Sequence, residues 1–223
     1  MCPYLSPRWR FGLQFGLWLL LAVLLALIGP PERTLGPGIR AVYLHGAWVW
    51  TALLGYAWAA WQGLLALKAR ERDATAPHSR ATRVWGWVAT FFWVTYLPVS
   101  LWAMQVNWNG LFLAEPRWRV GLAFAVTGVL LQLATWFLPP WAAAGINIGF
   151  FVALVYAIVT AQQVMHPPAP MFTSRGVLAM QLHFAAVLLA LLLAQRAAVQ
   201  WAATWLRAEP NDFPTASAAP PSP

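Results

Sequence analysis

The chain has 223 residues, of which 61% are hydrophobic and 9% are charged, whereas about a quarter of an ordinary soluble domain is charged. So few charged side chains cannot cover a water-soluble globule of this size, and the composition therefore predicts a protein embedded in the lipid bilayer. The net charge of +8 does not indicate nucleic-acid binding, because the basic residues are spread between apolar runs instead of lying on one stripe.

Six apolar segments follow one another along the chain, each close to or above the roughly 18–20 residues that cross a hydrocarbon core. They are residues 11–28, 41–67, 84–103, 120–138, 141–162 and 177–194. The first segment is too long for a signal-peptide core and precedes a poor cleavage context, so we interpret it as a membrane helix. Pro139 and Pro140 predict a tight hairpin between the fourth and fifth segments.

These segments predict an all-α, polytopic membrane protein with six transmembrane helices in one domain, residues 1–207. Residues 208–223 are rich in Pro, Ala and Ser and predict a disordered cytoplasmic tail. Cys2 is the only cysteine, which excludes a disulfide framework or a Cys-rich metal site.

The orientation follows from the Lys and Arg residues in the short loops. With six spans, the side that holds both termini carries nine of them and the other side carries five. The nine are Arg8, Arg10, Lys68, Arg70, Arg72, Arg80, Arg83, Arg196 and Arg207, and the five are Arg33, Arg40, Arg117, Arg119 and Arg175. The rule places the first side in the cytoplasm, which predicts a multi-pass protein of the inner (plasma) membrane with cytoplasmic N- and C-termini.

Four histidines are the main candidates for function, because ionisable groups in or beside membrane spans are costly and usually have a partner or a task. His78 lies in the cytoplasmic basic loop and is expected to be solvated, and His183 lies about two turns into the sixth span. The predicted topology places His45 and His166 together on the outer side. Two neutral imidazoles can occupy both axial positions of a haem iron, although each could instead hydrogen-bond a neighbouring helix.

A haem also needs flat aromatic walls and cationic partners for its propionates. Both residue types lie on the predicted outer side of this chain. The aromatic candidates are Trp48, Trp50, Trp108 and Trp118, and the cationic candidates are the five arginines of that side.

The segment from Tyr43 through His45 to Trp50 resembles the first histidine region of the haem-handling cytochrome c assembly proteins, in which a tyrosine precedes an outer-face histidine and a tryptophan follows it. The segment Gln163-Val-Met-His166-Pro-Pro is similar to the outer-loop histidine of that family. Six spans with cytoplasmic termini also resemble its smaller branch, which passes haem at the outer membrane surface.

A third similarity lies in the loop between these histidines, where the family carries a Trp-rich stretch that ends in Trp-Asp-Ala-Arg. Glu115 and Arg117 keep the spacing of the acid and the arginine, Trp108 keeps part of the aromatic content, and Ala114 stands where the family has a tryptophan. The resemblance implies a haem-binding or haem-relay protein that works with other cytochrome c assembly or respiratory membrane proteins. Its implied metal ligands are His45 and His166, and its implied haem contacts are Trp48, Trp108, Glu115, Arg117 and Trp118.

Two other functions remain open. The altered Trp-rich stretch is also compatible with a non-catalytic subunit or scaffold of a respiratory or assembly complex. His183 could instead serve a small transporter or a quinone-interacting protein, while the amides of Gln14, Gln62, Gln132 and Asn147 are expected to link helices. No phosphate-binding loop, metalloprotease motif or nucleophile elbow is present, so we do not expect an enzyme.

Overall fold

The computed structural model describes residues 7–33, 35–162 and 178–205, and these form six α-helices. In those ranges the only β-type pairing is an isolated bridge between Glu32 and Gly36. The all-helical prediction is confirmed. The helices are α1 Pro7–Leu27, α2 Ile39–Lys68, α3 Pro77–Trp108, α4 Pro116–Thr135, α5 Pro140–Thr160 and α6 Leu178–Trp205.

Prolines mark where several helices begin. Pro77, Pro116 and Pro140 each stand in the first turn of a helix, where the missing N–H costs no hydrogen bond. Helix α3 ends at Trp108 and is followed by Asn109, which adopts a left-handed conformation with φ of 51°. The hairpin predicted from Pro139 and Pro140 is confirmed, because only four residues separate the end of α4 from the start of α5 and the two helices pack against each other.

Helix α2 is the centre of the bundle and contacts α1, α3, α5 and α6. Small residues dominate its buried face, which lets neighbouring helices approach closely. Gly55 lies against Gln195 and Ala89, and Gly63 leaves so little space that a Cβ there would lie 3.1 Å from the carbonyl oxygen of Ala144. The buried small residues of α2 are Ala41, Ala47, Ala52, Gly55, Ala59, Ala60, Gly63 and Ala66.

Five of the six helices, α1 and α3 to α6, are long and apolar enough to cross a membrane. Their outer faces expose large apolar side chains such as Leu17, Leu130 and Val159, which indicates contact with lipid. The chain is a membrane protein. Helix α2, with 30 residues, has the length of a span but is not one of the five.

One end of the bundle, which we call the arginine-rich end, joins both ends of the described chain. The Arg8 guanidinium lies 4.8 Å above the Trp205 ring, so the beginning of α1 meets the end of α6. Arg80, near the beginning of α3, donates from Nη2 to the carbonyl oxygen of Ala203 at 2.7 Å. These contacts bring the first turns of α1 and α3 and the last turn of α6 to the same level.

The other end, which we call the opposite end, is formed by residues 28–33 and 35–38, by the 109–115 turn and by the first half of α6. Asn107, in the last turn of α3, donates from Nδ2 to the carbonyl oxygen of Gly38 at 3.2 Å, just before α2 begins. Residues 208–223, where the sequence predicts a disordered tail, lie outside the described residues.

Candidate functional site

Three polar residues from three parts of the chain converge at the opposite end, and we call them the Tyr96 cluster: His45, Tyr96 and Glu115. His45 is half-buried on α2, and its ring centroid lies 6.0 Å from that of Tyr96 on α3, at an interplanar angle of 52°. Glu115 lies just before α4, the helix whose Gly121 meets the Tyr96 hydroxyl. Tyr96 therefore lies where the helix that carries this histidine and the helix that this carboxylate caps meet α3, although the two residues are 70 positions apart in the sequence.

Glu115 caps the first turn of α4 with only part of its carboxylate. Its Oε2 accepts a hydrogen bond from the backbone N–H of Trp118 at 2.7 Å, and a negative charge there also complements the helix dipole. The residue is only 9% exposed, and among the described residues its buried Oε1 has no hydrogen-bond partner. The buried indole N–H of Trp118 likewise finds no acceptor there. This corner of the bundle therefore holds one acceptor, Oε1 of Glu115, and one donor, the indole N–H of Trp118, that have no hydrogen-bond partner among the described residues.

A close approach between α3 and α4 holds Tyr96 in place. Trp93 donates from its indole nitrogen to the carbonyl oxygen of Gly121 at 3.0 Å, and its ring lies 4.7 Å from that of Tyr96. A Cβ on Gly121 would overlap the Tyr96 hydroxyl. Glycine at position 121 is therefore required for this packing.

Trp48 lies one helical turn after His45, and its side chain packs between α2 and α3. Only 8% of it is exposed, and its indole N–H is shared between the carbonyl oxygen of Phe92 and the hydroxyl of Thr95, at 3.1 Å each. Its ring centroid also lies 5.7 Å from that of Phe92. In this arrangement Trp48 fastens α2 to α3 behind His45.

The remaining described residues of the predicted site lie at the same end. Trp108 is the last residue of α3, is 37% exposed and meets Phe112 edge to face at 6.4 Å. Arg117 is half-buried in the first turn of α4, next to Trp118. His166, the predicted second ligand, lies outside the described residues, so its relation to His45 is not described.

A second polar group at the opposite end caps the last turn of α1. The Nε2 atom of His183 lies 2.8 Å from the carbonyl oxygen of Leu25, to which it donates in the Nε2–H tautomer. Tyr43 donates its hydroxyl to the carbonyl oxygen of Pro30 at 3.1 Å, and its ring lies 5.1 Å from that of His183. His183 thus adds a second donor to the Leu25 carbonyl group, which also accepts from the Ile28 N–H, and Tyr43 supplies a donor to the turn that follows the helix.

Arg40 completes this cap by donating from Nε to the carbonyl oxygen of Gly29 at 3.3 Å. A cationic side chain there also complements the negative end of the α1 dipole. Gly29 admits the surrounding rings because a Cβ would lie 2.6 Å from the ring of Tyr43 and 3.0 Å from Nε2 of His183. His183, the sequence-based candidate for a quinone or transport site, is used here to join α6 to α1.

The predicted role of the core amides is confirmed for Gln132 and Asn147. Gln132, on α4, donates from Nε2 to Oδ1 of Asn147, on α5, at 2.8 Å. Gln62 also links two helices, since its Oε1 lies 2.9 Å from Nδ1 of His78 at the start of α3. His78, which was expected to be solvated, is half-buried and bonded to Gln62, while Gln14 is exposed on the surface of α1.

Sequence reasoning did not find Tyr96, although it is the centre of the cluster. It lies in the aromatic-rich run of residues 91–96, which has no spacing that separates a polar site from ordinary helix packing. The only available signal was a hydroxyl-bearing ring two residues before Pro98, a position that interrupts helix hydrogen bonding.

Within residues 7–33, 35–162 and 178–205, no three His, Cys, Asp or Glu side chains gather in an arrangement that could hold a metal ion. No family model, curated protein or solved structure matches the chain. The geometry of the described residues therefore carries the functional argument.

Proposed function

We propose that this chain is a six-span protein of the inner (plasma) membrane that binds or relays haem at the opposite end of the bundle during cytochrome c assembly. The observation that carries the proposal is the convergence of His45, Tyr96 and Glu115 at one end. The segments that resemble the haem-handling family are those that carry His45 and Glu115, and their meeting in space is not a consequence of their positions in the sequence.

Six spans are supported by the packing of α2. This 30-residue helix lies among α1, α3, α5 and α6, so it must cross the same thickness as they do. Its outer face exposes Leu54, Leu64 and Leu67, as expected for a helix that also meets lipid. With α2 included, both ends of the described chain share the side that is richer in Lys and Arg, and the positive-inside rule assigns that side to the cytoplasm.

The donors at the opposite end fit the chemistry of haem. An imidazole nitrogen is a common axial ligand, and guanidinium groups pair with carboxylates such as the propionates. His45 would hold the iron together with His166, and Arg117 and Trp118 would hold the propionate side. The exposed Arg33 and Arg119 extend the positive charge around this end.

The other residues of the site would support these ligands from behind. Trp48 keeps α2 against α3, so the position of His45 on the bundle is set by two hydrogen bonds on the adjacent turn. Trp108 is exposed enough to offer a ring face beside the 109–115 turn. Haem, when bound, supplies a metal centre and a flat apolar ring, while the chain supplies ligands, orientation and charge.

Absorbance spectroscopy of the full chain, expressed with haem and purified, tests this proposal. We expect a Soret band that is lost in His45→Ala and in the His45→Ala/His166→Ala double variant. His78→Ala is the matched control, because it removes an imidazole at the arginine-rich end, and it should keep the band. Absence of the band from the unchanged protein, or its persistence in the double variant, would contradict the proposal.

A second candidate is a non-catalytic subunit or scaffold of a respiratory or assembly complex. It is favoured by the use of Trp48, Arg40 and His183 for contacts between helices and turns of the chain itself. In that case a partner membrane protein should co-purify with the chain, and should still do so when both His45 and His166 are replaced by alanine.

A further inference from the structure

An apolar groove of about 270 Å³ runs between α1, α3 and α6 toward the arginine-rich end. Aromatic rings from all three helices line it. Phe15 stacks on Trp201 at 6.3 Å and meets Phe91 edge to face at 6.2 Å, while Trp87 and Trp205 complete the wall. An apolar groove of this composition between membrane helices is suited to bind the acyl chain of a lipid.

Two guanidinium groups stand where the groove meets the arginine-rich end, and both contact the last turn of α6. Arg8 lies over the ring of Trp205, which itself lines the groove. Arg80 donates to the carbonyl oxygen of Ala203, the residue after the groove-lining Ala202. The groove therefore combines an apolar interior with a cationic mouth.

A polar donor lies in the wall of the groove, deeper than the two arginines. The indole N–H of Trp87 is buried and has no hydrogen-bond acceptor among the described residues. Trp87 is seven residues after Arg80, which places the two side chains on the same face of α3 and about 10 Å apart along its axis. A donor below a cationic mouth matches a molecule with an anionic head and a carbonyl group beneath it.

We propose that this groove binds one anionic phospholipid. Its phosphate lies between Arg8 and Arg80, an ester carbonyl accepts the Trp87 N–H, and one acyl chain runs along the aromatic wall. Charge complementarity identifies the occupant, because guanidinium groups bind phosphate through charge-assisted hydrogen bonds and attract anionic headgroups. The site is on the side of the bundle that the proposed haem function does not use, so either proposal can fail without the other.

Native mass spectrometry of the purified full chain tests the headgroup part of this proposal. Dioleoyl phosphatidylglycerol and dioleoyl phosphatidylcholine have the same acyl chains, and we expect the first to be retained as a single adduct in clear preference to the second. The double variant Arg8→Gln/Arg80→Gln should lose about five-fold in retention for each arginine removed. The matched control is Arg70→Gln/Arg72→Gln, which removes two exposed charges from the same end and should change retention little.

The chain-binding part is tested by filling the groove. Ala202→Phe places a ring in the groove and should abolish the adduct, whereas Ala186→Phe adds the same ring to an exposed position of α6 and should leave it. Trp87→Phe should keep the groove but weaken retention. If Ala202→Phe does not give a monodisperse protein, the arginine pair and Trp87→Phe decide the question.

Three results would overturn the proposal. They are equal retention of the two lipids, equal retention by the groove-filling and control variants, and a mass of two chains that persists without lipid. The last result would identify a second copy of the chain as the occupant of this face.

Discussion

Glu71 and Glu115 each cap a helix, one at each end of the bundle, but they use their carboxylates differently. Glu71 accepts hydrogen bonds on both oxygens, from the backbone N–H of Ser79 at 2.7 Å and from that of His78 at 3.4 Å. Glu115 uses one oxygen for Trp118 and keeps the other buried without a partner among the described residues. The Glu71 cap thus uses both of its oxygens at the start of α3. The Glu115 cap leaves Oε1 as a hydrogen-bond acceptor at the end of the bundle that holds Tyr96 and His45.

This difference extends to the histidines of the two ends. His78 closes a hydrogen bond with Gln62, and its surroundings at the arginine-rich end are partly exposed. At the opposite end His183 closes the cap of α1, whereas His45 lies beside Tyr96. The arginine-rich end thus uses its polar groups to join helices, and the opposite end separates a structural group around α1 from the Tyr96 cluster.

The largest effect on stability should come from filling the space beside Gly121 that the Tyr96 side chain occupies. Gly121→Leu would force the Tyr96 hydroxyl away from α4, and we expect the free energy of unfolding to fall by about 3 kcal/mol. Gly145→Leu is the control, since no atom lies within 4 Å of a Cβ there. Thermal unfolding in detergent measures both. Equal melting temperatures for the two variants would show that the α3–α4 approach is not tight.

A smaller effect separates the two structural histidines. His183→Ala removes the donor from α6 and leaves the Leu25 carbonyl group with the Ile28 N–H alone, so we expect the free energy of unfolding to fall by about 1 kcal/mol. His78→Ala should cost less, because its partner Gln62 is also half-buried and can turn toward water at this end. Thermal unfolding of both variants provides the comparison. If His78→Ala lowered the free energy of unfolding more than His183→Ala does, the hydrogen bond of His183 would not be the more important of the two.

The smallest effect concerns the fully used cap. Burial acts to raise the pKa of Glu71, but hydrogen bonds from Ser79 and His78 outweigh it and lower that pKa below its ordinary value of 4.5. A lowered folded-state pKa contributes stability above pH 4.5, and this contribution is lost as the pH falls through the folded-state value. We therefore expect Glu71→Gln to melt about 1 °C below the unchanged protein at neutral pH, with the difference disappearing in acid.

Glu115→Gln is the matched variant at the other end. Its amide oxygen can still accept from the Trp118 N–H, so the neutral-pH melting temperature should change little. A change in haem content without a change in melting temperature would sharpen the contrast between the two caps. A drop in melting temperature larger than that of Glu71→Gln would contradict it.

The helices themselves were largely predictable from the sequence. Each of the six apolar segments overlaps one helix, because a backbone inside a bilayer must satisfy its own hydrogen bonds. The hairpin at Pro139 follows from the same local chemistry. The central position of α2 could not be predicted, because apolar content reports how much surface faces lipid and says nothing of which helices surround a given one.

The site was predictable only in part. His45, Glu115 and Trp118 were recognised from a resemblance in their segments, but their relation through Tyr96 depends on a glycine in α4 that admits the tyrosine. Trp48 and His183 carry residue types that serve ligand binding or helix packing equally well. Their hydrogen bonds to Phe92 and Leu25 decide for packing, and no pattern along the sequence contains those partners.

The sequence by itself determined three properties: that the protein is embedded in a membrane, which segments form helices, and which loops are basic. These properties depend on local composition and on the thickness of the bilayer. Only the tertiary structure decided which polar side chains join the helices and which ones meet at the opposite end of the bundle. The physical reason is that a buried polar group is satisfied by whatever atom lies opposite it, and that neighbour comes from a distant part of the chain.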